Sequence, residues 1–82
     1  MHQGIVGGRM WDQVWGANLR GARLRAGLDE NQVAQQLSIP IARLIAFEEG
    51  RVRPEADTLI ALVRILNVSL AHIFRGHDSS GR

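Results

Sequence analysis

The chain has no cysteine, no lysine and no tyrosine, and only two prolines. Without cysteine there is no disulfide framework, no thiolate zinc site and no cysteine nucleophile. Without lysine, all ten basic residues are arginine. The high isoelectric point therefore reflects how high arginine titrates, because the net charge is only +2. That excess is too small to argue for nucleic acid by itself. No apolar run approaches the ~20 residues that span a bilayer, and no signal peptide is visible at the start of the sequence, so none is expected. A cytoplasmic protein with no membrane contact is expected. His2, His72 and His77 lack metal-ligand spacing, so no metal or cofactor is expected either.

What is present is 82 residues, 45% hydrophobic and 22% charged. That balance is globular and allows one domain with a small core. Small domains without disulfides or metals often gain stability by oligomerising, which keeps a homodimer in view. Charge is unevenly spread. Arg9, Arg20, Arg23 and Arg25 face only Asp12 in the first part of the chain. Between residues 29 and 57, Arg43, Arg51 and Arg53 face Asp29, Glu30, Glu48, Glu49, Glu55 and Asp57. The middle is locally acidic, and a function placed there must account for it.

Residues 1–10 have no apolar period and read as a flexible arm, a cloning remnant or an upstream extension, with Met10 as an alternative start. Residues 11–76 carry the ordered domain, and 77–82 read as a frayed polar tail. Five helices are expected and no strand. Asp12 caps the first, whose stripe is Trp15, Leu19, Ala22 and Ala26 and whose stop is Gly27. Asp29 with Gln32 forms a capping box for the second, with Val33, Ala34 and Leu37 inward. After Ser38-Ile39-Pro40 a third runs from about Ile41 to Glu48 and ends at Gly50. Pro54 opens the fourth, with Leu59, Leu62, Val63 and Leu66 buried and Asn67 as a left-handed stop. Ser69 caps a short fifth with Leu70, Ile73 and Phe74, ended by Gly76.

The informative unit is residues 30–49. Two helices joined by so short a turn cross steeply. That needs a small residue at the close approach (Ala34), a slim turn residue (Ser38) and an inward apolar residue (Leu44). This is helix-turn-helix spacing, whose second helix can enter a major groove. From Leu19 to Phe74 the chain resembles the Cro/C1-type (XRE-like) helix-turn-helix domains of phage repressors and bacterial regulators. The similarity is carried by RxxxGL at residues 23–28, VAQQL at 33–37, FEEGRVRP at 47–54, TLIALVRIL at 58–66 and NVSLAHIF at 67–74. The resemblance implies an all-α, five-helix, lambda-repressor-like DNA-binding domain. It implies a structural ion pair, Arg23 with Glu48. It places base-reading positions at Glu30, Pro40, Ile41, Ala42, Arg43 and Ala46. It also implies a dimer interface through Leu70, Ile73 and Phe74, with two reading helices ~34 Å apart on the DNA; the competing reading is that these residues close the core of the monomer, Phe74 above all.

The sequence departs from the family pattern where bases are read. Such domains commonly carry Gln at the position of Glu30, and polar residues along the third helix. Here Arg43 alone has a strong donor set and can contact guanine in bidentate fashion. Ile41, Ala42 and Ala46 can touch only thymine methyl groups, so preference rests on Arg43, methyl contacts and DNA shape. Phosphate anchors are expected from Asn31 and Gln32 at the start of helix two, and from Arg51 and Arg53 after helix three. The competing reading for the two arginines is a solvated loop paired with Glu49 or Glu55. Trp15 is expected in the core, Ser69 as a cap rather than a nucleophile, and no catalytic residues or enzymatic activity. Two functions follow. One is a transcriptional regulator, probing a double-stranded DNA operator as a repressor or autoregulator. The other is a module for a protein partner, an antiactivator or adaptor, using the apolar face Ile41, Ala42, Ile45 and Ala46.

Overall fold

A computed structural model describes residues 11–75. The arm expected over 1–10, the stop at Gly76 and the tail over 77–82 lie outside the described residues. Within them there are five α-helices and no strand: α1 Gln13–Arg25, α2 Glu30–Leu37, α3 Ile41–Glu48, α4 Ala56–Leu66 and α5 Leu70–Ile73. Helix α1 packs on α3 and α5, and α2 packs on α3 and α4. The core is built from Trp11, Leu19, Ala22, Val33, Ala34, Leu44, Phe47, Leu62, Leu66 and Ile73.

Local chemistry explains the helix boundaries. The Asp12 carboxylate accepts from the Trp15 amide at 3.1 Å. Asp29 accepts from the Gln32 amide at 2.8 Å, and the Gln32 side-chain carbonyl accepts from the Asp29 amide at 2.7 Å. Each bond satisfies a donor that the first helical turn leaves without a carbonyl. The Ser69 hydroxyl accepts from the His72 amide at 3.1 Å, as a cap. Gly27 ends α1, while Ser38 and Asn67 end α2 and α4 in left-handed conformations, φ 59° and 58°.

The start of α1 and the end of α3 approach at backbone distance. A Cβ on Gly16 would lie 2.5 Å from the Glu48 carbonyl oxygen and 2.6 Å from that of Phe47. Gly50 has φ +80°, and a Cβ there would lie 2.6 Å from the Asp12 backbone. The indole Nε1 of Trp11 donates to the Phe47 carbonyl at 2.7 Å. The C-terminal carbonyls of α3 thus face the N-terminal turn of α1, whose partial charges are opposite. Trp11 is buried and Trp15 half-buried, and both meet the Phe74 ring edge-on, at 6.3 and 4.7 Å between centroids.

From its middle to its end, α1 holds α5. Asn18 Nδ2 donates to the carbonyls of Ile73 and Arg75, both at 2.8 Å. Arg25 donates to His72 Nε2 at 2.9 Å, which requires that nitrogen to be an unprotonated acceptor. Partial burial, followed by the nearby Arg75 and Arg25 cations, holds the His72 pKa below its ordinary value.

Gly16→Ala drives a methyl into backbone that cannot give way. It should cost about 1–3 kcal/mol, seen as a lower urea midpoint. Gly21→Ala is the control: the nearest atom to its Cβ would be in the Arg25 guanidinium at 3.4 Å, a side chain rather than backbone. It should gain up to about 1 kcal/mol from helix propensity. A lowered His72 pKa means the unfolded chain takes up that proton first. Its contribution is therefore complete above about pH 6.5 and declines as pH falls through the folded value. Thermal melts at pH 7.5 and 5.5 should show a smaller drop for His72→Gln than for the unsubstituted chain.

Candidate nucleic-acid interface

The three-residue turn 38–40 leaves α3 crossing α2, with α1 packed behind it. Pro40 is the N-cap of α3, with φ −63° and ψ 145°. It has no amide to orphan, and its carbonyl accepts from the Arg43 amide at 3.0 Å. Helix α3 is then divided sharply between inside and outside. Leu44, Ala46, Phe47 and Glu48 are buried, whereas Ile41, Ala42 and Arg43 are exposed. The Arg43 guanidinium lies over the Phe47 ring, 5.7 Å from its centroid. That contact steadies the exposed side chain along the helix.

One ion-pair network anchors this helix. Arg23 Nε donates to one Glu48 oxygen at 2.7 Å and its Nη2 to the other at 3.1 Å. A second terminal nitrogen donates to the Leu28 carbonyl at 3.0 Å. Both side chains are buried, at 5% and 3% exposure. The Arg23 pKa is raised, first by the hydrogen bond to Glu48. Glu30 also approaches Arg23, at 3.7 Å. Its carboxylate is therefore engaged in the scaffold, which accounts for an acid at a position expected to approach DNA.

The expected site residues fall into three groups. Asn31, Gln32, Pro40, Ile41, Ala42 and Arg43 are all exposed, on the first turn of α2 and at the start of α3. Arg51 and Arg53 are exposed in the loop beyond α3, and Arg51 Nε donates to Glu49 at 2.8 Å. The loop pairing weighed for Arg51 is thus present, but both groups are more than half exposed. Such a pair is screened and easily exchanged for another anion. Two assignments need correction. Ala46 is only 6% exposed, because α3 is covered on two sides, so it cannot reach a base. Ile73 is fully buried in its own chain's core, so it is not available to a second copy; Leu70 is 41% exposed and Phe74 half-buried.

Gln35 was not singled out by the sequence, although it stands one helical turn from Asn31. The two amides line an open cleft of about 440 Å³ with Ala34, Ile39 and Ile41. Among the described residues no cluster of three or more metal-ligating side chains occurs, and no helix is long and apolar enough to cross a membrane.

This arrangement defines an XRE-like helix-turn-helix domain. Residues 15–73 match the helix-turn-helix domain family, and the chain belongs to it. It is similar to the "Uncharacterized HTH-type transcriptional regulator YqaE" of Bacillus subtilis (strain 168), with 30% identity over 66 residues. That match covers 80% of this chain and 57% of the relative, so the chain spans a little over half of that relative's length. Its fold is also similar to the crystal structure of the clp gene regulator ClgR from C. glutamicum. The TM-score is 0.70 at 24% identity, over 74% of this chain and 78% of that chain.

Removing one partner of the buried pair leaves the other charged and unsatisfied. Arg23→Met should cost about 3–5 kcal/mol. Arg23→Met with Glu48→Leu should recover most of that loss, because no lone buried charge remains. Urea titrations of both single variants and the double variant measure the coupling.

Proposed function

We propose that this domain is a sequence-specific, double-stranded DNA-binding transcriptional regulator that presents α3 to the major groove. The observation that carries the reading is the division of α3: Leu44, Phe47 and Glu48 hold it while residues 41–43 are uncovered. Arg43 is the direct reader, suited to the two acceptors of guanine. The capping box of α2 uses the Gln32 carbonyl oxygen, so the side-chain NH₂ of Gln32 and the Asn31 amide are the phosphate donors on one side. Arg53, and Arg51 after exchanging Glu49 for phosphate, act on the other. Pro40, Ile41 and Ala42 supply shape and apolar contact.

In this reading the protein is a non-catalytic, cytoplasmic DNA-binding protein, with residues 11–76 as its binding domain. It works as a repressor or autoregulator, in keeping with relatives whose names describe them as regulators. A homodimer would seat on the exposed Leu70 and the half-buried Phe74, and Ile60, 45% exposed on α4, offers further apolar surface. The protein-partner alternative draws on the same exposed Ile41 and Ala42.

Fluorescence-polarisation titrations with duplex DNA from upstream of the protein's own gene, at low and moderate salt, test the proposal. Affinity should fall steeply with salt as phosphate counterions are released. Arg53→Ala should weaken all sequences alike and lower the salt slope by about one. Arg43→Ala should reduce the preference for specific over random DNA about tenfold or more. A salt-independent affinity, or no binding to any duplex, would overturn the proposal.

A further inference from the structure

The first turn of α3 presents an unusual chemistry for a reading head. Of its three exposed residues, only Arg43 has side-chain hydrogen-bonding groups; Ile41 and Ala42 have none. At about 100° per residue, these three sweep across the exposed half of the turn, from the cleft beside α2 to the Phe47 side. Ile41 retains 37% of its surface to solvent at this tip. A large aliphatic group left in water gains when an apolar partner covers it. The partner offered by a major groove is the 5-methyl group of a pyrimidine, carried by thymine and by cytosine once methylated.

We infer that Ile41 and Ala42 read pyrimidine 5-methyl groups, while Arg43 reads guanine in the same half-site. This rests on the DNA-binding reading above and names what that site recognises. The cleft supports it. Ile39, Ile41 and Ala34 give it apolar lining, and the amides of Asn31 and Gln35 give it neutral donors and acceptors. No carboxylate lines the cleft. The acids that flank this surface in sequence are engaged within the scaffold: Asp29 accepts from the Gln32 amide at 2.8 Å, Glu30 lies 3.7 Å from Arg23, and Glu48 is held by Arg23 at 2.7 Å. The exposed turn is thus apolar with one cation, complementary to methyl groups set in an anionic duplex.

The test uses the full chain and a duplex DNA pool with a randomised segment. Recovered sites are resynthesised with deoxyuridine replacing thymidine one position at a time, which deletes only the methyl. Matched duplexes carry cytosine or 5-methylcytosine at the same positions. Each critical methyl deletion should weaken binding about fourfold, the worth of one buried methyl group. The difference should shrink below about twofold in Ile41→Ala for the position Ile41 covers; this substitution trims an exposed side chain and should leave the thermal midpoint in place. A preference for 5-methylcytosine over cytosine of similar size extends the recognition to both pyrimidines, whereas an effect confined to thymine assigns it to thymine. Equal affinity for thymine and uracil at every position, with binding still salt-dependent, overturns this inference and leaves the regulator reading standing. Methyl discrimination that survives in both Ile41→Ala and Ala42→Gly overturns the assignment to these residues. Absence of salt-dependent binding to any duplex, or Ile41-dependent capture of a protein instead, overturns both readings.

Discussion

The Arg23 guanidinium sits where four pieces of chain meet. It belongs to the last turn of α1, grips both oxygens of Glu48 at the end of α3, holds the Leu28 carbonyl in the connecting loop, and approaches Glu30 at the start of α2. Burying charge is expensive, and such a pair is a poor source of net stability compared with well-packed hydrocarbon. Its value lies in geometry. A planar fork meeting a carboxylate in two bonds admits few orientations, so the tilt of α3 relative to α1 is set at its C-terminal end. Leu44 and Phe47 alone would hold the helix but would tolerate more sliding.

A second restraint acts on the backbone of that same terminus. Gly16 and Gly50 let the start of α1 come within backbone contact of Phe47 and Glu48, and the Trp11 indole takes up the Phe47 carbonyl. The end of α3 is therefore clamped between two regions of α1, while its beginning projects outward from Pro40. Rigid anchoring at one end and an exposed turn at the other is what a side chain reading a groove requires, since its donors must be held to within a fraction of an ångström.

Much of this was legible in the residues themselves because it is local. Caps at Asp12, Asp29 with Gln32, and Ser69 depend on atoms three residues apart, and the left-handed stop at Asn67 on its own backbone. Arg23 with Glu48 is a long-range pair, and only family resemblance brought it forward. The close approaches at Gly16 and Gly50 left no such trace, since a glycine in sequence does not say what lies opposite. Ala46 was misplaced for a related reason. An amphipathic stripe suits a helix packed on one side, but α3 is covered by both α1 and α2, so its buried arc widens to include residues between the stripe positions. Ile73 shows the same effect: in a short α5 pinned by Asn18, the core has first claim on the apolar residue. Glu30 looked anomalous until its partner was visible.

The indole of Trp11 has a final significance. With tyrosine absent, the near-ultraviolet emission of this chain comes from two tryptophans, and one of them is bonded directly to the backbone of the reading helix. Both rings share an aromatic nest with Phe74 beside α5. Any loosening of that helix from its seat changes the polarity around an intrinsic fluorophore, so the molecule carries a label-free optical gauge of whether its reading head is docked.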